Sequence, residues 1–218
     1  MDKKEFIARR TALEFKQGDL VNLGAGLPGF VASYIDKSKN IFMHTENGIV
    51  GAGPDDPSMP RDLFRTDASE NFVSILPGGA IVDSCTSFGL IRGGHLTATV
   101  LGTMQVDAEG SLANWMIPGK RFVGMGGAMD LVVGTPRVIV VTEHHDKDGH
   151  SKIMKKCTFP VTAFRVVRTI ITELAYIEVK PEGLLIMEVA PGLTPEDVQR
   201  QTDAPLLIDP NWKTMQVW

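Results

Sequence analysis

The sequence predicts a mixed α/β domain, and three observations carry that prediction. Short runs of β-branched and aliphatic residues alternate with short helical segments, the pattern of strands connected through helices. Two further segments, 105–115 and 177–189, hold apolar arms around a turn that ends in glycine, so each reads as an added β-hairpin. No tandem repeat, low-complexity segment or linker divides the chain, so residues 1–218 are expected to form a single domain.

The elements follow in order. Asp2 with Glu5 reads as a capping-box variant opening a helix that runs to about Gln17 and stops at Gly18. Residues 20–23, LVNL, form a short strand. A glycine-rich turn, GAGLPG at 24–29, leads into a short helix over 30–35, entered through Pro28. Residues 41–45 form the next strand, which ends on Glu46 ahead of the turn dipeptide Asn47-Gly48. Residues 51–71 are rich in Pro, Asp and Ser and read as a long loop. Residues 72–76, 96–101 and 137–142 read as buried strands, and DSCTSFGLIRGGH at 83–95 as a helix ending at Gly93-Gly94. Thr194 caps a last helix with Pro195 at its first position, running to about Gln201.

Composition excludes several classes. A net charge of -4 with 22% charged residues argues against a general nucleic-acid binder, which needs a basic face. No stretch approaches the roughly 18 uncharged apolar residues of a membrane span. The N-terminal MDKKE is followed by no apolar run, so no signal peptide is expected. Cys85 and Cys157 lack metal-ligand spacing and are expected to be reduced thiols in a cytoplasmic protein.

Several constellations carry two readings each. GAGLPG matches the glycine pattern of dinucleotide-binding turns, with Glu46 about twenty residues on; a packing turn, or close backbone approach to another ligand, are the alternatives. HHDKDGH at 144–150 reads as a solvated hairpin tip rather than a metal site. In GMGGAMDLVVG at 124–134, a helix starting near Ala128 would aim unpaired N–H groups at an oxyanion or phosphate; a packing turn reads equally well. Lys152, Lys155 and Lys156, with Arg92 and Lys120-Arg121, are either solvated surface or a cradle for a phosphate-bearing cofactor. Glu46, at a strand end among glycines, suits general-base work or direct nucleophilic attack.

Read together, VNLGAGLPGFVASYI, TENGIVGAG, SFGLIRGGHLTATVLGTMQVDAEGSLANW, GKRFVGMGGAMDLVVG and ITELAYIEV resemble the B (β) subunit of class I CoA-transferases. The resemblance spans about residues 3–208 and is nearest the two-subunit acetate or butyrate–acetoacetate type and the 3-oxoacid type. It implies an open, mostly parallel sheet with helices on both faces. It implies that Glu46 is the nucleophile of the family's Ser-Glu-Asn-Gly motif, with Thr45 keeping a hydroxyl at the first position. Gly102 matches a glycine lining the CoA site. Gly124 and Gly127 match the glycine-rich stretch there, with the Gly127 N–H as oxyanion donor. Coenzyme A would be substrate and covalent carrier, through a glutamyl-CoA thioester and ping-pong exchange, with no metal and no permanently bound cofactor. The implied partners are an α subunit, as α2β2, and an acyl-CoA with a short-chain carboxylate or 3-oxo acid. The rivals are a sugar-phosphate isomerase of related fold, with Glu46 as general base, and a non-catalytic acyl-CoA-binding subunit. The intact Glu-Asn-Gly turn argues against the second, because a binding module has no need of a carboxylate beside a thioester.

Overall fold

Residues 138–141, VIVV, are all buried, and they alternate between two separate apolar clusters. A strand of this kind has no solvent face and belongs at the centre of a sheet covered on both sides. The computed structural model describes residues 1–58 and 60–217; Met59, inside the expected long loop, and Trp218 lie outside the described residues.

In chain order, α1 (Lys3–Ala12) precedes β1 (Leu20–Leu23), α2 (Leu27–Phe30) and a 3-10 turn (Val31–Tyr34). Next come β2 (Phe42–Thr45), β3 (Ile49–Gly53), β4 (Ser74–Ile81), α3 (Ser84–Arg92) and β5 (Ala98–Gly102). Short strands follow: β6 (Gln105–Asp107), β7 (Leu112–Ala113), β8 (Met116–Ile117) and β9 (Arg121–Phe122). Then come α4 (Ala128–Gly134), β10 (Val138–Val141), β11 (Ile153–Met154) and β12 (Thr169–Ile171). The chain closes with β13 (Ala175–Lys180), β14 (Gly183–Val189), α5 (Pro195–Arg200) and β15 (Leu206–Thr214).

Ten strands form one open sheet in the order β15-β14-β13-β12-β10-β5-β1-β2-β3-β4. Its centre, β12-β10-β5-β1-β2, is parallel, and antiparallel strands flank it on both sides. One face carries α1, whose Ile7, Ala8 and Ala12 pack with Val21, Val100, Ile139 and Ile171. The other carries α3, α4 and α5 through Ile91, Leu131, Val132 and Val198, which pack with Val138, Val140 and Ile170. Helices therefore lie on both faces, as expected.

Differences from the expected elements have local causes. Helix α1 ends at Ala12 rather than near Gln17, because the Asp19 carboxylate accepts the Lys16 N–H at 2.8 Å and Phe15 is drawn into the core. Asp2 makes no side-chain cap; Glu5 pairs with Arg9 instead. The long loop starts only after β3. The strand expected at 72–76 runs Ser74–Ile81 and is exposed rather than buried, because it is the sheet's edge. Strand β15 has Pro210 inside it, a residue that argues against a strand except at an edge. The ladder bridges it by a bulge: Ile208 faces Ile186 and Lys213 faces Glu188, which leaves residues 209–212 opposite Met187. Strand β4 does the same at its own proline, with residues 76–79 standing opposite Gly51. The hairpins at 105–115 and 177–189 are present. The Thr194 cap is present too, as a full capping box with Asp197.

The segment 144–150 divides. Asp146 accepts the N–H groups of Asp148 and His150 and makes the exposed tip. His144 is instead fully buried, its ring held between the Thr172 and Thr202 hydroxyls at 3.1 and 2.9 Å. Burial pushes its pKa down to about 4. Between the ordinary histidine range and that value, the unfolded chain takes up a proton that the folded chain refuses, so stability falls as pH falls. Denaturant midpoints should therefore decline from pH 7 toward pH 4. His144→Gln should have a flatter profile over that window, and an unchanged slope would show that His144 is not the source.

Candidate active site

The carboxyl ends of parallel strands β1, β2 and β5 share one edge of the sheet, with β1 between the other two. The chain leaves β1 for β2 on one side and β5 lies on the other, so this edge is a topological switch point, where open α/β sheets place ligand crevices. Glu46 is the first residue beyond β2. It sits in a tight turn closed by the Gly48 N–H donating to the Thr45 carbonyl at 3.0 Å. The Thr45 hydroxyl accepts the Ile49 N–H at 3.2 Å, so the hydroxyl at that position shapes the turn. Gly48 has φ 121°, and a Cβ there would lie 2.1 Å from the Val82 carbonyl oxygen. Only glycine allows that approach.

The Glu46 side chain turns inward. Burial raises its pKa, and hydrogen bonds from the Gly127 backbone N–H and the Asn22 side chain counter part of the rise. A Cβ built on Gly127 would stand 2.9 Å from Glu46 Oε1 and 3.3 Å from the tip of the Phe88 ring. Gly127 caps α4, so its N–H belongs to the unpaired donors at that helix start. The arrangement is a desolvated carboxylate, gripped by a backbone N–H and an amide. Among the described residues no basic side chain contributes to its shift. Such a carboxylate is a stronger nucleophile than a solvated one, and its N–H partner is aimed at an oxygen that can carry developing charge.

Of the expected site residues, the structure brings Glu46 and Gly127 together directly. Gly102 ends β5 at the same edge, where a side chain would meet only Pro28 of α2, at 3.9 Å. Gly124 has φ +80° and open space where a side chain would be. The GAGLPG turn leads into a helix of only Leu27–Phe30, and Glu46 faces Gly127 rather than standing as a ribose-binding acid. Of the basic residues, Arg92 pairs with Asp130, and half-buried Lys152 donates to the Thr142 hydroxyl. The Cys157 thiol is pushed up to about 12 by burial and Asp107, which disfavours the thiolate form. Among the described residues no group of His, Cys, Asp and Glu could hold a metal ion, and no helix is long and apolar enough to cross a membrane.

Three site residues escaped the sequence reading. Asn22 is the buried polar residue of β1, in register with His44 on one side and Thr99 on the other. Its amide donates to the His44 carbonyl at 3.2 Å and its oxygen accepts from the Thr99 hydroxyl at 3.3 Å. Ser87, in α3, donates to the Glu46 carbonyl at 2.8 Å and meets His44 Nε2 at 2.9 Å. A polar residue inside an apolar strand was the available signal for Asn22 and His44.

Comparison with known proteins bears on the chain as a whole. A family model described as Coenzyme A transferase matches residues 4–201. The acetate CoA-transferase subunit beta of Escherichia coli (strain K12) is 47% identical over 204 residues, 94% of this chain and 93% of its own. The mitochondrial succinyl-CoA:3-ketoacid coenzyme A transferase 2 of Homo sapiens is 45% identical over 217 residues, 99% of this chain but only 42% of its own length. The crystal structure of an acyl-CoA transferase apoenzyme from Escherichia coli O157:H7 has the same fold, with a TM-score of 0.80 at 21% identity over 99% of this chain and 43% of that one. The chain belongs to the class I coenzyme A transferases, as a β subunit of that enzyme family, for which coenzyme A is a substrate.

Proposed function

We propose that Glu46 is the nucleophile and carries coenzyme A as a thioester between two acids. The observation that carries this reading is the desolvated Glu46 carboxylate under the Gly127 N–H, with no basic side chain among the described residues contributing to its shift. A carboxylate is ionised at neutral pH unless its pKa is pushed very far, so it needs no separate base. Its oxygen attacks the acyl-CoA carbonyl and the C–S bond breaks, giving a mixed anhydride and CoA thiolate. The thiolate attacks Glu46 Cδ and expels the first acid, leaving the Glu46–CoA thioester. A second carboxylate attacks Cδ, the thiolate leaves and then attacks the acceptor's acyl carbon, and Glu46 is regenerated. No proton is gained or lost overall, and exchange is ping-pong. At both steps on Cδ the oxygen beside Gly127 takes full charge, where such a donor contributes about 3 kcal/mol. Water must be excluded, or the anhydride and thioester would hydrolyse. Gly102 and Gly124, open on their side-chain sides, are proposed to let CoA pass close to the backbone.

The acids are proposed to be short-chain carboxylates and 3-oxo acids, after the names of the relatives. An α subunit is proposed as partner, in an α2β2 assembly, with residues 1–218 acting as one domain of it. Support comes from the relative named subunit beta, and from the human protein's being more than twice as long. Exposed Phe122, Val123 and Met129, flanking the 124–127 glycines, are apolar surface that a partner would cover. The unpaired Cys85 and Cys157 fit a cytoplasmic location.

Three outcomes check this reading. Incubating the assembled enzyme with acyl-CoA should add one CoA mass to Glu46, and borohydride should then inactivate it. Glu46→Gln should abolish both adduct and exchange. Because burial makes the ionised form costly, this variant should unfold at no lower denaturant concentration than wild type at pH 7. An adduct on another residue would sink the mechanism. Gly127→Ala is permitted by its backbone (φ -81°) but would push the carboxylate aside. A displacement on the order of 1 Å predicts roughly a hundredfold loss of kcat with the fold intact. Near-normal turnover would remove Gly127 from the site. Finally, the chain purified alone should not turn over, and adding the α subunit should restore exchange; full activity alone refutes the heteromer.

A further inference from the structure

We infer that His44 and Ser87 are positioning residues, forming a hydrogen-bond chain that fixes the Glu46 main chain and so aims its carboxylate during transfer. The inference rests on the proposed role of Glu46. Ser87 Oγ is 2.8 Å from the Glu46 carbonyl oxygen, which has no hydrogen to give, so the serine hydroxyl is the donor there. That leaves Ser87 Oγ only as acceptor toward His44 Nε2, 2.9 Å away, and puts the imidazole proton on Nε2. Nδ1 is then unprotonated, and among the described residues no partner faces it. The order is therefore directional, from His44 Nε2–H to the Ser87 hydroxyl to the Glu46 carbonyl. No bond forms or breaks within it.

Both side chains are shut off from solvent, His44 at 1% exposure and Ser87 at 0%. Burial holds His44 neutral, near pKa 4, so the chain keeps its direction at neutral pH. An apolar pair of the same shape could fill this space but would leave the Glu46 carbonyl without its Ser87 donor. What the polar pair adds is a fixed direction at one atom, the carbonyl of the residue whose carboxylate must meet Cδ-level geometry. It also ties two elements to that atom: β2, which carries His44, and α3, which carries Ser87. The same helix supplies Phe88, whose ring tip reaches Gly127. Helix α3 thus sets both the main chain of Glu46 and the glycine that grips its carboxylate.

The test uses the enzyme assembled with its partner subunit. Ser87→Ala and His44→Leu should each lower kcat about tenfold to a hundredfold, with KM for acyl-CoA within about twofold, as expected when aim rather than binding is lost. The double variant should be no slower than Ser87→Ala, because both break one chain. His44→Gln, whose amide can donate from nearly the place of Nε2, should recover most of the rate lost in His44→Leu. Nitrogen NMR of the wild-type enzyme, which needs no variant, should show His44 neutral with its proton on Nε2. Unchanged kcat in folded Ser87→Ala, additive losses, no advantage of glutamine over leucine, or a proton on Nδ1 would each overturn the inference. If Ser87→Ala does not assemble, the glutamine–leucine comparison and the tautomer decide it. Intact mass separates the two levels of the argument. No CoA on Glu46 in wild type refutes the proposed mechanism, whereas equal rates of adduct formation in wild type and variants refute only the positioning chain.

Discussion

The Glu46 carboxylate is partly buried beside groups that, among the described residues, offer it no positive charge, and the surrounding structure answers that constraint. A guanidinium or ammonium against Glu46 would stabilise the charge and blunt its reactivity. The partners are instead a backbone N–H and an amide, which lower the cost of burial only in part. Gly127 has no side chain because the carboxylate occupies that space. Gly48 has none because the turn that turns Glu46 inward runs against the Val82 carbonyl. The helix start at Ala128 supplies an N–H that no intrahelical carbonyl claims. Each feature would be a defect in a turn built only for stability.

The parallel centre of the sheet makes this juxtaposition possible. Asn22, His44 and Thr99 come from three strands far apart in sequence, yet parallel register lines them up in one row. Within an otherwise apolar layer the Asn22 amide donates to the His44 carbonyl and accepts from the Thr99 hydroxyl, while the His44 ring turns to Ser87. His44 lies two residues before Glu46, so the row lies close to the strand end that presents this carboxylate.

The readable part of the molecule is the part whose signals are local. VIVV at 138–141 announces a strand buried on both faces, and Thr194-Pro195 announces a capped helix. Glu46 with Asn47-Gly48 announces a presented carboxylate, and the glycines before Ala128 announce a helix start with free donors. Contacts across long separations were not readable. The Asn22–His44–Ser87 group exists only once register is set, and the end of α1 depends on Asp19 taking the Lys16 N–H. Strand β15 carries a proline, so its pattern denies what its neighbour β14 imposes. His144 sits in a polar heptapeptide that reads as solvated, and it is buried because two threonines from other segments receive it.

The bulges of β4 and β15 have a consequence for the sheet as a whole. These are its two outermost strands, and each breaks stride at a proline, opposite Gly51 on one side and Met187 on the other. A straight outer strand presents an unbroken row of N–H and C=O groups on which another chain can continue the ladder. Here the row is interrupted on both margins, with a missing donor at Pro77 and another at Pro210. Lateral growth by strand addition has no continuous template on either side, and the hydrogen-bonded array is closed at ten strands without being rolled into a barrel.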